Sequence, residues 1–353
     1  MTTNVVGVDL GSVAVRAAEV QDADKGKPTL VRYHEMSLPL GAVSRGEVIE
    51  PNTVATVLKR LWEAGGFTSR SVVLGMGNHR VLARDLTVPR TSMERIRESL
   101  PFQVQDLLPI PVSDALLDFY PISESEGEGD SGRQVNGLLI AAVKEVVQAN
   151  VRAVDLAGLT AVGVDLIPFA LSRVIQGGLT SDEAIAQIDI GAGTTTVVIT
   201  RRGVPQLVRL IPVGGDDLTQ ALAVRLTIDA AAAETLKRMI TLESGRSLVR
   251  ETETAADAVA LEVTSELLGS LRNTMTYFTN TRQGVPVTRI ILTGGGARLG
   301  GLARSLAALT RLPVVEPESP GFVALGRGIT AASLAESDGS YLVALGLALG
   351  SKA

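Results

Sequence analysis

A chain of 353 residues with 45% hydrophobic and 20% charged residues is long enough for two packed lobes and has the balance of a globular protein. A net charge of -5 and 3% aromatic content argue against a general nucleic-acid binder, which needs a basic face and rings for stacking. There is no cysteine and the only histidines are His34 and His79, which removes disulfides and thiolate zinc sites and argues against a histidine cluster or triad.

The N-terminus, MTTNVVGVDLGS, has neither the basic region nor the apolar run of a secretory signal. Residues 5–12, VVGVDLGS, form an apolar β-type run ending in Asp9-x-Gly11, and β-type runs follow at Val13–Val20 and Thr29–Leu38. Asn52–Ala64 carries Val54, Val57, Leu58, Leu61 and Trp62 at helical spacing between Pro51 and Gly65-Gly66. Thr91–Ile122 reads as helix and strand in an inserted subdomain. Ser123–Gln134 is acidic, glycine-rich and without apolar residues, which predicts a mobile loop. A strand at Val135–Val143 and a helix from Lys144 to Leu156 come next.

Residues 186–193, AQIDIGAG, then repeat the opening motif, with Asp189 and Gly191 in place of Asp9 and Gly11. Further β-type runs at Thr194–Thr200 and Gln206–Val213 complete a second strand–turn–strand–strand unit, so the chain holds two related halves. Asp216–Leu226 and Asp229–Lys237 read as helices, with Asp216 and Asp217 as N-capping acids. Val259–Phe278 sets Val263, Leu267, Leu271, Met275 and Phe278 on one face of a long helix. A strand at Thr288–Leu292 leads through GGGARLGG into a helix at Leu302–Leu309, and the apolar segment from Gly339 packs back as a closing helix. Tyr341–Leu349 is about half the length of a membrane span, so membrane contact is expected only through a partner.

Glycine-rich turns let backbone N–H groups crowd around phosphates, and carboxylates at strand ends can hold hydrated magnesium. Two Asp-x-Gly turns in duplicated units suit a polyphosphate gripped from both sides. Three glycines after a buried strand, Gly294, Gly295 and Gly296, would let a flat adenosine lie against backbone.

In this order these elements resemble the phosphate-one, phosphate-two and adenosine motifs of the actin, sugar-kinase and heat-shock-chaperone superfamily. The chain more narrowly resembles the PilM family, FtsA-like actin relatives of type IV pilus assembly, through DLLPIPVSDALLDFYPI (106–122), VGVDLIPFAL (162–171), IDIGAGTTTVVITRRG (188–203), IPVGGDDLT (211–219), AETLKR (233–238), LTGGGARLGGL (292–302) and YLVALGLAL (341–349). The resemblance implies an α/β, two-lobed actin-like (ribonuclease H-like) fold of duplicated mixed sheets flanked by helices, with an inserted subdomain. The first lobe is expected over 1–178, with the insertion near 86–150 and 337–353 packing back on it. The second is expected over 179–336, with a helical subdomain near 215–285.

The resemblance further implies ATP or ADP with Mg2+ as ligands: Asp9 and Asp189 near the metal, and Gly11, Ser12, Val13, Arg16, Gly191, Gly193, Thr194 and Thr195 around the phosphates. Glu234, Lys237, Gly294, Gly295, Gly296 and Arg298 would face the nucleoside. Ile167 stands where many actin-like ATPases carry a glutamate, with Asp165 two residues earlier, so binding is expected before hydrolysis. The implied role is a cytoplasmic scaffold under the pilus inner-membrane platform. It would hold the N-terminal cytoplasmic tail of a PilN-like membrane protein, with pilus motor ATPases and self-association as further contacts. The alternative is a filament-forming cytoskeletal protein like FtsA or MreB.

Overall fold

The computed structural model describes residues 4–127, 132–175, 182–242, 251–282, 284–318, 320–335, 337 and 339–350. The chain opens with strands β1 (Asn4–Leu10), β2 (Ala14–Gln21) and β3 (Thr29–Ser37). A small ribbon, β4 (Val43–Ser44) with β5 (Glu47–Val48), precedes helix α1 (Pro51–Gly65) and β6 (Ser71–Met76). Then come β7 (Val81–Pro89), α2 (Met93–Gln103), β8 (Ala115–Glu126), β9 (Arg133–Val143), α3 (Lys144–Leu156), β10 (Thr160–Leu166) and α4 (Ile167–Ile175). The second half holds β11 (Ala184–Ile190), β12 (Thr195–Arg201), β13 (Val204–Ile211), α5 (Gly215–Leu226), α6 (Ala230–Met239), α7 (Glu251–Thr281), β14 (Val287–Thr293), α8 (Leu302–Thr310) and β15 (Val314–Val315). β16 (Ala324–Leu325), α9 (Ala331–Ala335) and α10 (Tyr341–Leu349) close the chain.

The two halves build the same sheet. In the first the order is β3-β2-β1-β6-β10, in the second β13-β12-β11-β14-β15. Each opens with an antiparallel meander, and its first strand then pairs in parallel with the strand that follows the helices. In such sheets ligand sites form beyond the carboxyl ends of parallel strands, which is where Asp9 and Asp189 stand. Alternation along β1 explains the arrangement: Val6, Val8 and Leu10 enter the core under α1 and α3. Gly7 and Asp9 therefore face the other way. On that face α10 comes so close that a Cβ on Gly7 would lie 1.9 Å from the Ala344 carbonyl oxygen.

Helix α4 joins the lobes. Ala170, Leu171 and Val174 pack with α10, while Phe169 lies in a cluster with Val198 of β12 and Val208 of β13. That cluster also takes Met76, Leu138 and Ile140, so both lobes share one apolar seam. In α7, Leu267, Leu271, Met275 and Phe278 are buried against the second sheet. Among the described residues no helix is long and apolar enough to cross a membrane.

Three boundaries differ from the sequence expectation. The described residues of Ser123–Gln134 are mostly strand, with Ser123 to Glu126 in β8 and Arg133 and Gln134 in β9, while 128–131 lie outside the described residues. Opposite charges accompany this hairpin where apolar residues are missing: Arg133 pairs with Glu126 opposite it at 3.1 Å, and Arg90, just past β7, reaches Glu124 at 2.9 Å. The inserted sheet, β7-β9-β8, begins at Val81 rather than near 86, and α3 belongs to the first core through Ala153 and Val154. The chain also returns to the first lobe before 337, because β16 pairs with β3 at Ala324–Thr29 and Leu325–Leu30. The expected division at 178/179 lies outside the described residues.

Candidate functional site

The two Asp-x-Gly turns are the same structure built twice. The Gly11 amide donates to the Ala14 carbonyl at 3.1 Å, and the Gly191 amide to that of Thr194 at 2.9 Å. They meet face to face, since a Cβ on Gly193 would lie 3.0 Å from Ser12 Oγ and 3.3 Å from Cα of Arg45.

Antiparallel register sets Asp9, Arg16 and Glu35 opposite one another across β1, β2 and β3. Arg16 Nη1 approaches Asp9 Oδ2 at 3.4 Å and its Nε donates to Glu35 Oε2 at 2.7 Å. Burial pushes the Asp9 carboxyl up from the ordinary aspartate range, and the Arg16 guanidinium only partly counters it. Asp189 is raised too, to about 6, by burial and by the charge on Asp9, against a 2.8 Å hydrogen bond from Thr293 Oγ1. Thr293 stands opposite Asp189 in the parallel pairing of β14 with β11. Two carboxylates that disfavour each other's charge fit a divalent cation between them. Among the described residues no group of three or more His, Cys, Asp or Glu could hold a metal ion by itself, and a pair of carboxylates is the kind of site where magnesium keeps waters and takes phosphate oxygens.

The start of α5 backs onto the second turn. The Gly215 amide donates to the Gly191 carbonyl at 2.9 Å and the Asp216 amide to that of Ala192 at 2.8 Å. The approach demands a glycine before the helix, because a Cβ on Gly214 would meet the Ala192 oxygen at 2.3 Å. Asp217 caps the helix from inside its first turn, accepting from the Gly214 amide at 2.7 Å. Burial raises Asp216, with Lys237 opposing. Lys237 Nζ pairs with Glu234 at 2.6 Å and donates to Thr219 Oγ1 at 2.8 Å and to the Gly215 carbonyl at 3.2 Å. Burial would raise Glu234, but hydrogen bonds from Lys237 and Thr219 hold it below the usual range.

The glycines after β14 close the group. Gly294 adopts φ 91°, which favours glycine, and a Cβ there would strike the Ile190 oxygen at 2.4 Å. Gly295 faces open space, Gly296 lies over Gly191, and Arg298 is exposed at the end of the turn.

Asp9, Gly11, Ser12, Arg16, Asp189, Gly191 and Gly193 thus converge, with Glu234, Lys237, Gly294, Gly295 and Gly296 beside the second turn. Val13 is an exposed apolar residue of the first turn and Thr194 is half-buried in the second. Thr195 is placed differently. It is fully buried and its hydroxyl donates to the Val213 carbonyl at 2.7 Å, tying β12 to the end of β13. Asp165 pairs with Arg173, which also donates to the Gly346 carbonyl. Ile167 packs against Gly75 and Gly77, so hydrocarbon occupies that position.

Sequence reasoning left out Thr293, Gly214, Gly215, Thr219 and Arg45. For the first four the signal was adjacency to GGG and to Gly191 through the Gly-Gly pair. Arg45 had no signal, as it arrives from the other lobe.

The chain is 30% identical to a chain of a "PilM-PilN type IV pilus biogenesis complex", covering 98% of this chain and 97% of that one, with a TM-score of 0.83. It shares its fold with the ethanolamine utilization protein EutJ of Carboxydothermus hydrogenoformans, at 18% identity and a TM-score of 0.55 over 98% of this chain and 89% of that one. Curated relatives include the cell division protein FtsA of Bacillus subtilis, 24% identical over 230 residues, 58% of this chain and 51% of FtsA. FtsA of Neisseria meningitidis is 25% identical over 227 residues, 60% of this chain and 55% of that protein. The chain thus spans about half the length of the curated relatives it matches. Residues 7–352 match the family described as "Type IV pilus assembly protein PilM". With the duplicated sheets, that match over nearly the whole length makes the chain a member of the PilM family, and its fold the two-lobed actin-like one.

Proposed function

We propose that this protein is a nucleotide-binding scaffold of the type IV pilus inner-membrane assembly platform. ATP or ADP is held with Mg2+ between the two lobes, and the N-terminal cytoplasmic tail of a PilN-like membrane protein is held by the first. The observation that carries the nucleotide reading is the meeting of two identical Asp-x-Gly turns, Ser12 against Gly193, with Asp9 acting electrostatically on Asp189.

In this reading amide groups of Gly11, Ser12, Gly191, Gly193 and Thr194 receive the phosphates, and Gly294, Gly295 and Gly296 take the nucleoside face, with Glu234, Lys237 and Arg298 at its edge. Thr195 contributes by fixing the turn. Asp9 and Asp189 hold the magnesium ion, which neutralises phosphate charge. Arg16, pinned by Glu35, keeps Asp9 aimed at the cleft. Ile167 cannot orient an attacking water, so the nucleotide acts first as a brace between lobes and is turned over weakly at most.

The partner reading rests on kinship to the PilM–PilN complex. We assign the tail to the inserted sheet, where a cleft of about 550 Å³ lies between the start of α2 and the strands, lined by Arg90, Met93, Ile96, Pro121 and Glu124 among others. Inner-membrane association then comes through the partner, and motor ATPases and further copies of the chain would assemble on it there. Calorimetry with MgATP and MgADP, and capture of a synthetic tail peptide, test the two halves separately. Absence of heat with either nucleotide sinks the first, and failure to retain any tail peptide from the cognate membrane protein sinks the second.

A further inference from the structure

The ribbon β4–β5 is an appendage of the first lobe that touches the second. Its turn is Arg45-Gly46, with φ 48° and 80°. Both residues have positive φ, a conformation that favours Asn-Gly or Asp-Gly, so an arginine there is strained. The strained residue is the one that reaches the site. Its backbone N and Cα are both 3.3 Å from where a Gly193 Cβ would stand, so the tip rests on the second Asp-x-Gly turn. Its side chain crosses to the second lobe, where Nη2 binds Asp217 Oδ1 at 2.8 Å.

The charge balance makes this arginine matter. Arg16 is already shared between Asp9 and Glu35, and Lys237 is bound to Glu234. Asp9, Asp189, Asp216 and Asp217 surround the same turns; a magnesium ion on the first two would offset part of that charge, and a polyphosphate would still gain from a further cation there. The side chains of Arg45 and Asp217 are 39% and 23% exposed, and an ion pair so solvated holds its partners only weakly. A guanidinium can leave it for phosphate oxygens, which it grips with two parallel hydrogen bonds. The seat of the ribbon is also incompletely bonded. Asn78, against which Gly46 packs, has a buried Nδ2 without a partner, and so does Oε1 of Glu47. Unpaired buried groups weaken the hold on one position of the tip.

We propose that Arg45 is a polyphosphate-binding residue of this site, carried across the cleft by the ribbon and exchanged between Asp217 and the nucleotide. The proposal rests on the nucleotide reading above and adds a cation that the two Asp-x-Gly motifs do not contain. Asp217 acts in it as the competing anion.

Calorimetry on the full chain, comparing wild type with Arg45→Gln, Arg45→Lys and Asp217→Asn, tests it. The ligands are MgATP, MgADP and AMP, the last lacking a polyphosphate. Arg45→Gln is expected to weaken MgATP and MgADP about ten-fold while leaving AMP unchanged, because a charged contact to phosphate is lost. Arg45→Lys should restore part of the affinity, and Asp217→Asn, whose amide oxygen still accepts from Gly214, should tighten MgATP. Unchanged or tighter MgATP binding by Arg45→Gln overturns the proposal and leaves the nucleotide reading intact. Equal weakening of AMP overturns it too, since the defect would then be one of fold. No binding by wild type overturns both.

Discussion

Replacing Asp189 with asparagine separates what its charge does for the fold from what it does for a ligand. Its carboxyl titrates at about 6 because burial and the neighbouring Asp9 charge both disfavour ionisation. Relative to an ordinary aspartate at 3.8, the folded chain then binds more protons than the unfolded chain between roughly pH 4 and 6. The stability contributed is therefore present at low pH and is lost as pH rises through about 6. At pH 7.5 the ionised group costs at most about 3 kcal/mol, and about 1.5 kcal/mol of this is relieved by pH 5. Partial exposure at the cleft lowers both figures. Asn keeps an acceptor for Thr293 and carries no charge, so Asp189→Asn should be more stable than wild type at pH 7.5 by about 1–3 kcal/mol. The gain should shrink toward pH 5, and MgATP should no longer stabilise the variant. Urea denaturation at pH 5, 6 and 7.5, with and without MgATP, measures both effects. A variant less stable than wild type at pH 7.5, or one with the same pH slope, would refute the electrostatic account of the site.

Gly7→Ala should be among the most damaging single-methyl changes, because the added carbon meets backbone of α10 at 1.9 Å and neither element can yield; urea denaturation should show a loss of about 3 kcal/mol or more. Gly214→Ala crowds the Ala192 carbonyl at 2.3 Å and displaces the second turn, so calorimetry should show MgATP affinity about ten-fold or more weaker. Met93→Glu, at the partly buried lip of the cleft in the inserted sheet, should abolish capture of the tail peptide while MgATP binding stays as in wild type. Retained tail capture by that variant would move the partner site elsewhere.

Much of the architecture was legible because it is locally encoded. The duplicated Asp-x-Gly meander, the long apolar face of α7 and the helix Lys144–Leu156 all follow from residue types and their period over one element. The hairpin at Ser123–Gln134 was not, since its composition is that of a loop. Its strands are in register along the β8–β9 ladder, with Glu126 opposite Arg133 and Glu124 reached by Arg90 from the end of β7. Sequence alone likewise gave Thr195 a place beside the phosphates, whereas its hydroxyl is taken by Val213, a bond that depends on how β12 ends against β13. The return of Ala324 and Leu325 to β3 spans nearly 300 residues of sequence separation, and two residues carry too little pattern to announce it.

By itself, the sequence determined the elements, the repeat and the glycine turns, because backbone freedom and apolar period are properties of neighbouring residues. Tertiary structure alone decided that Gly193 rests on Ser12 and Arg45, that Asp217 answers Arg45 across the cleft, and that Asp9 and Asp189 oppose each other's charge. These are relations between the two lobes, and Coulomb forces and steric fit act through space rather than along the chain.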